Sequence, residues 1–203
     1  MPFPLTIQEL LKQIACETAR MAYPGGMSRG RGAVVNGGTK ELLELFFMGE
    51  FPLETIWTNR NAVAQNYDTW HDAQATAMGN YLADHGCIPN QANNKYLVAA
   101  KFLNTFMHQL MKYERFRPLW RHLHLPLDAR VFQAFQKLLN DYPESTVLGD
   151  INARIDGQRA YEISADDYRF IQKELLAFIG YLNRRPNAEF QITSRIELNL
   201  LWL

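Results

Sequence analysis

Residues 94–104, Asn94-Lys95-Tyr96-Leu97-Val98-Ala99-Ala100-Lys101-Phe102-Leu103-Asn104, open a strongly helical stretch. Leu97, Val98, Phe102, Phe106, Leu110 and Tyr113 recur every three to four positions, the spacing that lines one face of a helix with apolar side chains. Lys101, Asn104, Thr105, His108 and Lys112 fall on the other side. The pattern predicts a helix with a buried stripe from about Asn93 or Asn94 to about Tyr113. Arg115-Phe116-Arg117-Pro118 should end it, because proline cannot donate the next helical hydrogen bond. A second helix is expected from Pro126 in Leu125-Pro126-Leu127-Asp128-Ala129-Arg130-Val131, with Val131, Phe132, Phe135 and Leu138 as its apolar residues.

The flanking chain is also helical in pattern. Thr6-Ile7-Gln8-Glu9 has the form of a capping box, and Leu10, Leu11, Ile14 and Ala15 follow at helical spacing. Tyr23-Pro24-Gly25-Gly26 should stop that helix. A short helix from Thr39 carries Leu42, Leu43, Leu45, Phe46 and Phe47, and Gly49 and Pro52 interrupt it. Helical residues resume at Ile56-Trp57 and from Trp70 to Ala83, and His85-Gly86-Cys87-Ile88-Pro89-Asn90 forms a break. Trp57, Trp70, Tyr67 and Tyr81 are read as core rather than as stacking platforms. Ser164-x-x-Asp167 caps a long helix with Phe170, Leu175, Leu176, Phe178 and Ile179, ending at Gly180 or shortly after. Ser194-x-x-Glu197 caps a last helix carrying Leu198, Leu201 and Trp202. Only residues 147–163 suggest strands: Ile151-x-Ala153-x-Ile155, a turn at Asp156-Gly157, then Tyr161 and Ile163 alternate as in a hairpin. The expected fold is mainly α with one β-hairpin near 151–163. Residues 1–203 are expected to form a single compact unit, or two helical lobes, about 1–90 and 91–203, with a cleft between them.

Composition narrows the function. The chain has 203 residues, 47% of them hydrophobic, enough for a sizeable core. Lys+Arg and Asp+Glu balance at 21 each, so any nucleic-acid contact must come from a local basic face. Arg115, Arg117, Arg121, His122 and His124 form such a cluster. Cys16 and Cys87 lack metal-ligand spacing and read as two small buried side chains in a reducing compartment. His122-x-His124 has no acidic or cysteine partner at ligand spacing, so no metal and no cofactor is expected. With no signal-like N-terminus and no apolar run near the ~20 residues of a membrane span, the expectation is a cytoplasmic monomer without membrane contact. The glycine-rich stretch 24–38 lacks the Gly-Lys-Ser/Thr of a phosphate loop and reads better as a surface loop whose Arg29 and Arg31 could touch phosphate.

Lys95 and Asp128 suggest a reaction. A lysine amine attacks carbon only when unprotonated, a state favoured by burial or by a helix N-terminus. A fixed carboxylate stabilises a developing cation. Antiparallel packing of the two helices would bring the side chains together. The bland alternatives are a solvated first-turn lysine and an N-cap aspartate. Lys101 is the rival nucleophile, although its place on the polar side suits a phosphate contact or a surface charge.

Three segments resemble the helix-hairpin-helix DNA glycosylase superfamily, with its archaeal 8-oxoguanine glycosylase branch as the nearest likeness. They are Asn94–Val98 with Phe102-Leu103-Asn104, Leu125–Val131, and Ile196-Glu197-Leu198-Asn199-Leu200-Leu201-Trp202-Leu203, with a helix of comparable character, Tyr168–Ile179, between the second and third; the resemblance runs from Lys95 to the C-terminus, about half the chain. The resemblance implies a DNA repair enzyme that excises an oxidised purine such as 8-oxoguanine through a lysine Schiff base and then cleaves the abasic site. It implies Lys95 as nucleophile and Asp128 as the stabilising carboxylate. Trp202 either stacks on the extruded base or closes the core at the chain end. Asn94, Lys101, Arg115, Arg117 and Arg121 would contact the backbone of damaged DNA. The superfamily's Leu-Pro-Gly-x-Gly hairpin is replaced here by Ile88-Pro89-Asn90-Gln91-Ala92-Asn93-Asn94, Ala99 stands where the branch offers a larger aromatic, and no four-cysteine iron–sulfur signature is present. A non-catalytic nucleic-acid-binding or protein-interaction module on the same fold is the alternative.

Overall fold

The computed structural model describes residues 6–23, 35, 38–88, 92–158, 162–185 and 191–201, with backbone alone at 92–94 and 199–201. The described residues are mainly helical, with no strand among them. They fall into two compact units, Met1–Trp120 and Arg121–Leu203.

The first unit holds α1 (Ile7–Ala22), α2 (Thr39–Gly49), α3 (Leu53–Gln65), α4 (Tyr67–Asp84) and α5 (Ala92–Leu110). Thr6 and Glu9 form the expected capping box, in which Thr6 Oγ1 accepts from the Glu9 amide and the Glu9 carboxylate accepts from the Thr6 amide. Because α5 packs on α4 and α1, it belongs to this unit, and the division falls after Trp120 rather than near residue 90. Phe47 and Phe106 stack with ring centroids 3.7 Å apart, and Phe51 meets both edge-on. Leu97, Val98, Phe102, Phe106 and Leu110 are buried as the stripe predicts, whereas Tyr113 is half-buried beyond the helix end. Tyr67 is buried, and Trp57, Trp70 and Tyr81 each rest against a core phenylalanine: Phe116, Phe51 and Phe46 respectively.

The second unit holds α6 (Ala129–Asp141), α7 (Thr146–Ile155), α8 (Ala165–Asn183) and a terminal 3-10 turn (Arg195–Leu201). α7 packs against α6 and α8, and α8 against the terminal turn. The hairpin expectation is corrected here, because residues 146–155 are helical. Ser145 caps this helix by accepting from the Leu148 amide, and Leu148, Ile151 and Ile155 form a buried face. Leu148-x-x-Ile151-x-x-x-Ile155 has helical spacing, and Ala153, the middle residue of the alternation, is exposed off that face. Residues 159–161, the other half of that hairpin, lie outside the described residues.

Ser164 and Asp167 form the second capping box, and Arg154 donates to the Asp167 carboxylate at 2.7 Å. The Ser164 hydroxyl and then Arg154 hold the Asp167 carboxyl below its usual range. The Thr6 amide and hydroxyl do the same for Glu9. Both lowered values contribute stability that is complete above the ordinary carboxylate range and lost as pH falls through the lowered ones. Urea midpoints are therefore expected to fall between pH 7 and pH 3. Ser164→Ala should cost about 0.5–2 kcal/mol at pH 7, as loss of an N-cap does, and should narrow the difference between the two pH values.

The last helix departs from expectation in its cap. The Glu197 carboxylate accepts from the amides of Thr193 and Ser194, but Ser194 Oγ is buried and makes no return bond.

Candidate functional site

Lys95 is the fourth residue of α5 and half-buried. Its backbone is closely packed. A Cβ placed on Gly79 of α4 would lie 2.9 Å from Lys95 O and 3.1 Å from Lys95 C. Only glycine fits this crossing without moving the helix that carries Lys95. Two further links tie the same pair of helices: His71 Nε2 lies 2.7 Å from Asn104 Oδ1 within the core, and Tyr96 donates to Asp72 at 2.6 Å. The pairs Gly79–Lys95 and His71–Asn104 run in opposite chain order, so α4 and α5 are antiparallel.

This arrangement corrects one assignment. Asn104 is 2% exposed and serves as the partner of buried His71, not as part of a polar outer face. Gly79→Ala should shift α4 away from Lys95. Overpacking costs about 1–3 kcal/mol, only partly offset by the ~1 kcal/mol that alanine gains over glycine within a helix. The expected result is a lower thermal midpoint, measured by circular dichroism; an unchanged or raised midpoint would show that the two helices can separate freely.

Lys101 lies six residues beyond Lys95, about a third of a turn round the helix, and is half-buried. Its carbonyl accepts from Thr105 Oγ1 at 2.8 Å. The Asn94 side chain and Trp202 lie outside the described residues, as does the glycine-rich stretch apart from Val35 and Gly38.

Asp128 lies in the second unit, as the N-cap of α6. Its Oδ1 accepts from the amides of Arg130 and Val131 at 3.0 and 3.1 Å. The bland expectation for this residue is therefore met in full. The same geometry fixes a half-buried carboxylate at the positive end of a helix.

The chain enters Asp128 through residues 123–128, which have no regular secondary structure. The segment is held by a buried polar network that was not anticipated. Gln172 of α8 accepts from the Leu125 amide at 3.0 Å and donates to the Leu125 carbonyl at 2.7 Å. Arg195, 1% exposed, donates to the carbonyls of Leu123, Gln172 and His122. His124 Nδ1 lies 3.2 Å from the Tyr168 hydroxyl. His124 is thus a core residue rather than part of a basic surface. The one sequence signal for Gln172 was its place on the apolar row of Leu175 and Ile179.

Arg115, Arg117 and Arg121 are all exposed on a nine-residue 3-10 segment, Glu114–His122. At three residues per turn, Arg117 shares an edge with Glu114 and Trp120, and Arg115 lies on another. Arg115 donates to the Trp57 carbonyl at 3.3 Å, with its guanidinium 5.2 Å from the Trp57 ring centroid.

Among the described residues, no group of three or more His, Cys, Asp or Glu could hold a metal ion, and no helix is long and apolar enough to cross a membrane. Both cysteines are free thiols, Cys87 buried and Cys16 half-buried. Comparison with known proteins yields no matching family model, curated protein or solved structure.

Proposed function

We propose that this protein is a DNA glycosylase and abasic-site lyase that excises an oxidised purine such as 8-oxoguanine. In this scheme the Lys95 nitrogen forms a bond to the sugar C1′ through its lone pair. The bond from C1′ to the base breaks, and its electron pair leaves with the base, which takes up a proton. The nitrogen sheds a proton, and opening of the sugar ring gives a Schiff base. Loss of a C2′ proton then expels the 3′ phosphate and cuts the strand. The transition state for base loss carries positive charge on the sugar, and the Asp128 carboxylate offsets it. The base must leave the duplex to be reached, at an unstacking cost of a few kcal/mol. Trp202 is assigned to stack on it, and Asn94, Lys101, Arg115, Arg117 and Arg121 to the DNA backbone.

What carries this reading is a first-turn lysine on a tightly packed helix combined with an aspartate fixed by two amides at a helix head, each within a segment that resembles the glycosylases. The test is incubation with duplex oligonucleotides bearing different lesions, with and without borohydride. A covalent protein–DNA adduct is expected with the wild type and none with Lys95→Gln. Trapping that persists in Lys95→Gln and disappears in Lys101→Gln would move the nucleophile to Lys101 and keep the reaction.

A second reading, a non-catalytic nucleic-acid-binding module, draws on two observations: the three exposed arginines of Glu114–His122, and the sufficiency of capping as a role for Asp128. It requires duplex binding without base release, unaffected by Asp128→Asn.

A further inference from the structure

We propose that Arg195 and Gln172 are positioning residues that aim the Asp128 carboxylate; this rests on the role given to Asp128 above. The segment 123–128 has no helix or strand to hold it, yet its start is bound from two directions. Arg195 reaches it from the terminal 3-10 turn through the carbonyls of His122 and Leu123, at 2.5 and 3.2 Å. Gln172 reaches it from α8 and takes both the amide and the carbonyl of Leu125. The third bond of Arg195, to the Gln172 carbonyl at 3.3 Å, joins the two clamps.

Burying a guanidinium is costly unless its donors are engaged. An apolar side chain would fill the same volume without that cost. What the arginine adds is directional control of two successive carbonyls. Beyond Leu125, Pro126 has a fixed φ and Leu127 is buried, so little freedom remains before Asp128. Arg195 and Gln172 thus set the direction in which the chain presents Asp128 to α6, while the Arg130 and Val131 amides hold the carboxylate itself.

The two halves of the proposed reaction separate this role from plain stability. Base release passes through a sugar cation and needs an aimed carboxylate. Cleavage of a preformed abasic site starts from an aldehyde, where no such cation forms. Arg195→Lys and Gln172→Met are each expected to slow single-turnover release of 8-oxoguanine at least tenfold. Cleavage of a preformed abasic site should stay within about twofold of wild type, consistent with a purely local loss of alignment. The Arg130 and Val131 amides should exchange faster with solvent while those of α7 do not change. Gln172→Met keeps the test open should Arg195→Lys fail to fold. Wild-type base release by a folded variant, or equal loss of both steps, would overturn the positioning role. Absence of base release by the wild-type protein would instead overturn the role of Asp128, and this proposal with it.

Discussion

Phe106→Ala is expected to cost the first unit about 3–5 kcal/mol, the range for emptying a buried phenylalanine site. Phe106 is 0% exposed, stacks on Phe47 at 3.7 Å and meets Phe51 edge-on. Its loss strips Phe47 and Phe51 of their contact with the C-terminal half of α5. Small domains are stable by only about 5–15 kcal/mol, so the variant should unfold at a much lower urea concentration or fail to accumulate. Leu176→Ala, at a site 44% exposed on α8, should change stability by less than about 0.5 kcal/mol. Equal midpoints for the two variants would mean that the aromatic cluster does not hold α5 in place.

The second large effect concerns Asp128, and it depends on chemistry that capping does not share. Asparagine caps a helix about as well as aspartate, and its side-chain oxygen can accept the same bonds from Arg130 and Val131. Asp128→Asn should therefore keep its stability to within about the 1 kcal/mol worth of one cap. Removing the charge, however, should slow base release by about 10²–10³-fold, as loss of one electrostatic contact to a reacting centre does. Single-turnover assays of the variant beside its unfolding curve make the distinction. Full activity with full stability would leave Asp128 as a cap and nothing more.

How far the sequence could be read depended on the range of the interactions. Thr6–Glu9 and Ser164–Asp167 are capping boxes within four residues, and both formed as their spacing required. The stripe from Leu97 to Leu110 was legible from its spacing, but α5 is buried round most of its circumference, with Ala99, Ala100, Leu103 and Met107 also in the core, and that took the neighbouring helices to reveal. The hairpin was misread because Ile151, Ala153 and Ile155 satisfy a period of two only if Leu148 and the Ser145 cap are left out. Asn104 was misplaced for a different reason. Its partner His71 lies on another helix, and a polar residue becomes a core residue only once that partner is known. Arg195 was hidden in the same way, since backbone carbonyls accept its bonds and carbonyls leave no mark in a sequence. Gly79 did leave one. A lone glycine within a helical run signals close approach of a neighbour, and that neighbour is the backbone of Lys95.

The amine of α5 is open to the most direct test. Wild-type protein and Lys95→Gln should be incubated with an 8-oxoguanine duplex and borohydride, and any adduct digested and mapped by mass spectrometry. A covalent link at Lys95, formed by the wild type and absent from the variant, is the expected result. Released base with no trapped adduct, or a wild type that binds DNA and leaves every lesion in place, would contradict it.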